Sequence, residues 1–182
     1  MDVDGSSVMS LINGQNFEEK PAFIQIITNW LTTKSSSDIN LIGIRHKGFK
    51  YFRAKNNGHI SIVSSVAGYR GLPAASGYCA SKAALTSLAE SLYFDFKRHN
   101  VRVSLVSPGF IKTPLTDKNE FPMPMIKSAE YAAEKMFVGL TKKNAFEIHF
   151  PVAFTTIMKL LKIMPNWIYF LIVGKGLKII KY

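Results

Sequence analysis

Tyr78 and Lys82 stand four positions apart in the 182-residue chain. On a helix that spacing puts both side chains on one face. An ammonium beside a phenol favours the phenolate and lowers its pKa toward neutrality, which makes Tyr78 a usable proton donor or acceptor. The same Tyr-x-x-x-Lys spacing recurs at Tyr51/Lys55, Tyr93/Lys97 and Tyr131/Lys135, where surface pairing or a core tyrosine accounts for it. What separates the Tyr78 pair is its surroundings. Ser65 lies thirteen residues earlier, just past an apolar, β-branched run, whereas the same step back from the other tyrosines reaches Asp38, Ala80 and Lys118. Pro108-Gly109 follows at the end of the next apolar run. If adjacent parallel strands carry these stretches to one rim, a hydroxyl and an activated phenol can polarise one carbonyl oxygen between them.

Such convergence needs strands to deliver it. Ser6 or Ser7 can cap a first helix bearing Val8, Leu11 and Ile12, and Phe23 to Asn29 reads as a buried strand. After a polar break at Thr32 to Ser37, Ile39, Ile42, Phe49 and Phe52 follow a helical period up to about Asn56, ended by Asn57-Gly58. His59 to Ser64 reads as a strand, Ser65 to Ala75 as a loop and Gly77 to about His99 as the clearest helix. Val101 to Ser107 is the next strand, broken by Pro108-Gly109. Thr113 to Ile126, with three prolines, is an irregular loop. Ser128 caps a helix to about Lys142, Ala145 to Phe150 is a short strand, and two short apolar-basic helices follow, parted by Pro165-Asn166. Strands alternating with helices predict an α/β fold with a parallel sheet. Ligands of such sheets sit beyond the carboxyl ends of the strands, so the loops after Ser64 and Ser107 are the places for chemistry.

Three segments in this order carry a family resemblance: Gly58-His59-Ile60-Ser61-Ile62-Val63-Ser64-Ser65-Val66-Ala67-Gly68, Tyr78-Cys79-Ala80-Ser81-Lys82, and Pro108-Gly109-Phe110-Ile111-Lys112-Thr113. Together they resemble the short-chain dehydrogenase/reductase family over about Asp38 to Phe150. The resemblance implies a Rossmann-type doubly wound parallel sheet, NAD or NADP as hydride carrier, and an alcohol or carbonyl substrate. It implies Ser65 holding the substrate oxygen, Tyr78 as acid/base, and Lys82 on the nicotinamide ribose, tuning Tyr78. Asp38-Ile39-Asn40-Leu41-Ile42-Gly43 resembles the family's Asn-containing helix, which makes Asn40 the support of a water in the proton relay. Pro108, Gly109, Ile111 and Thr113, with Tyr78 and Lys82, match the nicotinamide-side contacts.

The chain departs from the family in its first part. It carries no Thr-Gly-x-x-x-Gly-x-Gly phosphate loop. Phe23 to Asn29 resembles the family's fourth strand, with Trp30 where an alanine is expected. The expected domain is therefore residues 1–150, a partial sheet of about four strands, followed by a helical tail at 151–182. Without a helix N-terminus for the pyrophosphate, this chain alone is expected to bind NAD(P) poorly. The rival reading is a non-catalytic, truncated half-domain acting as a binding module or remnant.

Composition limits the remaining classes. At 47% hydrophobic and 19% charged residues, the chain is globular rather than disordered. One cysteine excludes a disulfide framework. Cys79 reads as a small buried helix residue, and His46, His59, His99 and His149 lack metal-ligand spacing. Ser64-Ser65 lacks the Gly-x-Ser-x-Gly elbow of a hydrolase nucleophile. The net charge of +11 reads as a solvated basic surface rather than a nucleic-acid site. Apolar runs too short to span a bilayer and an acidic start, Met1-Asp2-Val3-Asp4-Gly5, give a cytoplasmic expectation. Phe121 to Ile126 either packs on its own domain or forms a lid, the latter implying an apolar substrate. The tail combines apolar runs with five lysines and no acid. It reads as a helical cap, a contact between copies, or a peripheral membrane-surface segment. An unpaired strand edge also invites homo-oligomers.

Overall fold

The computed structural model describes residues 54, 56–114, 116–118, 123–142 and 144–179. The expected first helix, the Phe23–Asn29 strand, the helix from Asp38 and Asn40 itself lie outside them. Within them, three strands form one parallel sheet in the order β1 (Gly58–Val63), β2 (Val101–Pro108), β3 (Glu147–Phe150). Gly58 pairs with Val101 through to Val63 with Val106, and Leu105 with Glu147 through to Pro108 with Phe150. The fourth strand of the expected partial sheet belongs to the residues not described.

Helices α1 (Ser76–Phe96) and α2 (Ala129–Thr141) make the two crossovers. Alternation along β2 sends neighbouring side chains to opposite faces. Val103 and Leu105 join Ile60, Ile62, Leu85, Ala89, Leu92 and Phe96 beneath α1. Val106 joins Ala132, Ala133, Met136, Leu140, Ile148 and Phe150 beneath α2. This two-sided burial explains the near-continuous apolar strands. Burying one such Leu, Ile or Phe side chain stabilises the fold by about 1.5–3 kcal/mol.

Local signals set the boundaries. α1 runs through a tight turn at Lys97–His99 and stops where Asn100 adopts a left-handed conformation, φ 46°. Ser128 caps α2, its hydroxyl accepting from the Tyr131 N–H at 3.2 Å. The tail forms α3 (Val152–Ile163) and α4 (Asn166–Ile179). Between them Met164 is extended, as expected of a residue before proline. Thr155 and Met158 of α3 are buried, and Met158 packs on Val66 and Tyr69 in a third core cluster. Among the described residues no helix is long and apolar enough to cross a membrane.

Candidate active site

β1 and β2 end side by side, and each hands its next residues to the same rim. Ser64, one residue past β1, donates its hydroxyl to the Lys82 carbonyl at 2.8 Å and lies 3.0 Å from the Thr86 hydroxyl. Ser65, on the other side of the chain, caps a short turn, Val66–Gly68, by accepting from the Ala67 N–H at 3.2 Å. Its own hydroxyl points to the Pro108 carbonyl at the end of β2, 3.4 Å away. The serine pair therefore divides its work. Ser64 fixes α1 against the sheet, and Ser65 faces the rim.

α1 brings Tyr78 and Lys82 to that rim. Tyr78 stays 41% exposed, while Lys82 is buried at 8%. The Lys82 Nζ sits 5.6 Å from the centroid of the Tyr78 ring. The Ser65 side chain acts on the same phenol, holding its pKa down against the larger opposing effect of burial. Ser65, Tyr78 and Lys82 thus meet around one phenol, and Pro108 borders them through Ser65. Gly109 is fixed by its N–H donating to the Phe150 carbonyl at 2.7 Å. Ile111 is buried and bridged to Lys127. Thr113 is held in its own turn, its N–H donating to the Thr116 hydroxyl at 2.8 Å.

One expectation needs correction. The i, i+4 lysine was to pull the phenol toward neutrality. In the structure burial comes first and raises the Tyr78 pKa above 10.0. Burial also lowers the pKa of Lys82. The reason is geometric: the ammonium addresses the ring face, and both groups are partly withdrawn from water. The Tyr131/Lys135 pair has a similar geometry, 5.3 Å from Nζ to ring centroid, with Tyr131 edge-on to Phe150. Spacing alone therefore marks no site; what sets the Tyr78 pair apart is the neighbouring Ser65 and the burial of Lys82.

Lys82 also bears on the fit of a nicotinamide nucleotide. Among the described residues its buried ammonium has no carboxylate partner. A buried cation of this kind suits a neutral, hydroxyl-rich group such as a ribose diol, to which it can donate several hydrogen bonds. The fit reaches the nicotinamide end only.

Several positioning residues carry no local sequence signal. Gly68 presses so closely on α1 that a Cβ there would lie 2.8 Å from the Lys82 carbonyl and 2.8 Å from the Ser64 hydroxyl. Arg70 donates to the carbonyls of Leu161 at 2.7 Å and Met164 at 2.6 Å, and its guanidinium stacks 4.0 Å from the Tyr169 ring centroid. It ties the loop after Ser65 to the α3–α4 elbow. The Tyr69 hydroxyl donates to Glu147, which Lys159 of α3 pairs at 2.6 Å. Cys79 is buried and accepts from the Leu72 N–H at 3.3 Å, a packing role. His59 and His149 are likewise structural: His59 Nε2 lies 2.9 Å from the Ser104 hydroxyl, and His149 Nδ1 lies 2.7 Å from the Thr155 hydroxyl.

Comparison with known proteins points one way. The family model described as short chain dehydrogenase matches residues 32–124. An uncharacterized oxidoreductase of Myxococcus xanthus is 40% identical over 112 residues, 62% of this chain and 44% of that protein. A 3-oxoacyl-[acyl-carrier-protein] reductase of Rickettsia prowazekii is 38% identical over 84 residues, 44% of this chain and 35% of that protein. The chain thus spans less than half the length of these curated relatives. A short chain dehydrogenase/reductase from Burkholderia phymatum, solved in complex with NAD, superposes with TM-score 0.54 at 25% identity, over 70% of this chain and 58% of that one. The fold also matches a short chain dehydrogenase from Burkholderia cenocepacia, solved with NADP, at TM-score 0.58 and 22% identity, over 81% of this chain and 57% of that one.

Proposed function

The chain belongs to the short-chain dehydrogenase family, and on that premise we propose that it carries the acid/base half of an NAD(P)-dependent oxidoreductase acting on an alcohol or carbonyl. The observation that carries this reading is the Lys82 Nζ 5.6 Å from the Tyr78 ring centroid at the rim where Ser65 reaches the Pro108 carbonyl, with Ser65 holding down the pKa of the same phenol. When bound, the nicotinamide supplies or accepts the hydride. In the reducing direction Tyr78 donates its O–H proton to the substrate oxygen as the carbonyl carbon receives the hydride. Ser65 donates a hydrogen bond to the same oxygen and holds it in place. Lys82, whose ammonium lies over the Tyr78 ring, holds the ribose. In the oxidising direction each proton runs back along the same path. Asn40 is assigned the water-supporting role in that relay. Pro108, Gly109, Ile111 and Thr113 form the nicotinamide-side wall.

An apolar substrate fits the loop beside the rim. Met125 and Ile126 are exposed, and the next residue, Lys127, is stitched to the chain after β2: its N–H donates to the Phe110 carbonyl at 3.0 Å. The Rickettsia relative, named as a reductase of a 3-oxoacyl group, points to the same substrate class.

The test is turnover of a panel of aliphatic ketones by the purified chain at millimolar NADH and NADPH, with Tyr78→Phe as control. We expect activity in the parent and a loss of about 10²–10⁴-fold in the variant. Activity that survives the substitution refutes the assignment of Tyr78. A chain that neither turns over nor binds either nucleotide is the non-catalytic half-domain of the rival reading, which the missing glycine-rich loop favours.

A further inference from the structure

We propose that the outward faces of α3 and α4 form a patch that seats the protein on an anionic lipid surface. α3 turns Thr155 and Met158 inward and leaves Ile157, Leu160 and Ile163 outside. α4 turns Tyr169 inward and leaves Trp167, Phe170 and Leu171 outside. Ile163 is 78% exposed and Trp167 70%, so the two side chains flanking the elbow are almost wholly uncovered. Large apolar groups concentrated on two consecutive helices differ from the isolated exposed leucine that any surface tolerates. Arg70 ties the elbow to the loop after Ser65 by its bonds to Leu161 and Met164 and its place over the Tyr169 ring.

Charge selects the occupant. Between Pro151 and Tyr182 the chain has five lysines and no acidic residue. An isologous interface between two copies would set this basic segment against itself. Lysine is also depleted from the cores of protein interfaces. A surface of anionic headgroups complements both properties: Lys159 is held by Glu147, so the exposed Lys162 and the lysines among the last eight residues of the sequence meet the phosphates while Trp167 and the aliphatic side chains enter the boundary layer. At 12 and 14 residues, the helices are shorter than the roughly 20 residues a bilayer crossing needs, so they lie in the interface plane.

The experiment is co-sedimentation of the full chain with vesicles of phosphatidylcholine alone or with about 30% phosphatidylserine, at about 0.1 M and about 0.5 M NaCl. We expect binding to the anionic vesicles at least about tenfold stronger than to the neutral ones, lost at high salt. The double variant Ile163→Ser/Trp167→Ser should weaken it about tenfold while keeping its far-ultraviolet circular dichroism. If that variant unfolds, Leu160→Ser takes its place. Absence of pelleting, or equal pelleting with both lipids at both salts, overturns the proposal. So does sedimentation equilibrium showing a dimer that the same substitutions dissociate, which would make this face a contact between copies.

Discussion

Tyr78 shows how burial and charge compete at a single phenol. Water withdrawal raises its pKa, Ser65 opposes that, and the result stays above the ordinary value of 10.0. The ligand-free protein therefore holds the proton on Tyr78 through the neutral range, as the proposed donor role requires. At about pH 9 the ultraviolet difference between the parent and Tyr78→Phe should show phenol and no phenolate; a phenolate band there would mean that Lys82 governs the site after all. His59 titrates in the opposite sense. The Arg102 Nη2, which can only donate, lies 2.7 Å from His59 Nδ1, so the ring is neutral with its proton on Nε2 toward Ser104. Burial, helped by the Arg102 charge, lowers its pKa from 6.5 to about 4. Between those values the unfolded chain binds a proton that the folded one refuses, so stability rises with pH across this window and falls as the solution is acidified. The loss has an upper bound of about 3 kcal/mol. Urea midpoints measured from neutral pH down to about pH 4 should show it, and the His59→Gln variant should flatten the curve over the same interval.

At the scale of elements, the turn Val66–Gly68 sets the distance between the Ser65 hydroxyl and α1. Gly68 allows that approach because a Cβ would strike the Lys82 carbonyl, the Ser64 hydroxyl and the Thr86 hydroxyl, the last at 2.9 Å. Two of these three atoms belong to the turn of α1 that carries Lys82. Gly68→Ala should destabilise the fold by about 1–3 kcal/mol and lower turnover beyond what the loss of folded protein explains. Urea midpoints and rates per folded molecule check both, and a variant that matches the parent in each would show that α1 shifts freely. These contacts also mark where sequence reading stopped. The three described strands and four helices could be read to within a few residues, because β-branched runs ended at Gly, Pro or Asn and Ser128 was a visible cap. That Ser65, Tyr78 and Lys82 come to one rim was legible from the place of Ser65 past a strand end together with the spacing of the other two. The division of labour between Ser64 and Ser65 was not, since it depends on which face each hydroxyl takes past the end of β1. Nor was the Arg70 clamp, whose partners lie 91 and 94 residues away. The sign of the Tyr78 shift was misread because burial cannot be seen in a four-residue interval.

For the molecule as a whole, the balance of its parts decides how it meets a dinucleotide. Ser65 reaches the Pro108 carbonyl at the end of β2, and in the proposed function Tyr78, Lys82 and the Pro108-Gly109 turn serve the nicotinamide and its ribose. A dinucleotide also presents a pyrophosphate, and the anchoring of that group in a sheet of this type comes from backbone N–H groups at a glycine-rich turn and from the positive end of the helix that follows. No such glycine pattern occurs in these 182 residues. The lysines of the tail offer point charges but not a cradle of aligned donors. The affinity of this chain for NADH or NADPH should therefore be weak, and its rate of ketone reduction should rise in proportion to nucleotide concentration up to about 1 mM without saturating, the pattern expected when Kd lies above the range tested. Fluorescence titration of either nucleotide over the same range should likewise stay linear. Saturation in the micromolar range would show that residues outside the described part supply a phosphate site of another design. In that case the division of labour would move: the described half would remain the source of the proton, and the first fifty-three residues would become the place to search for the anion contacts.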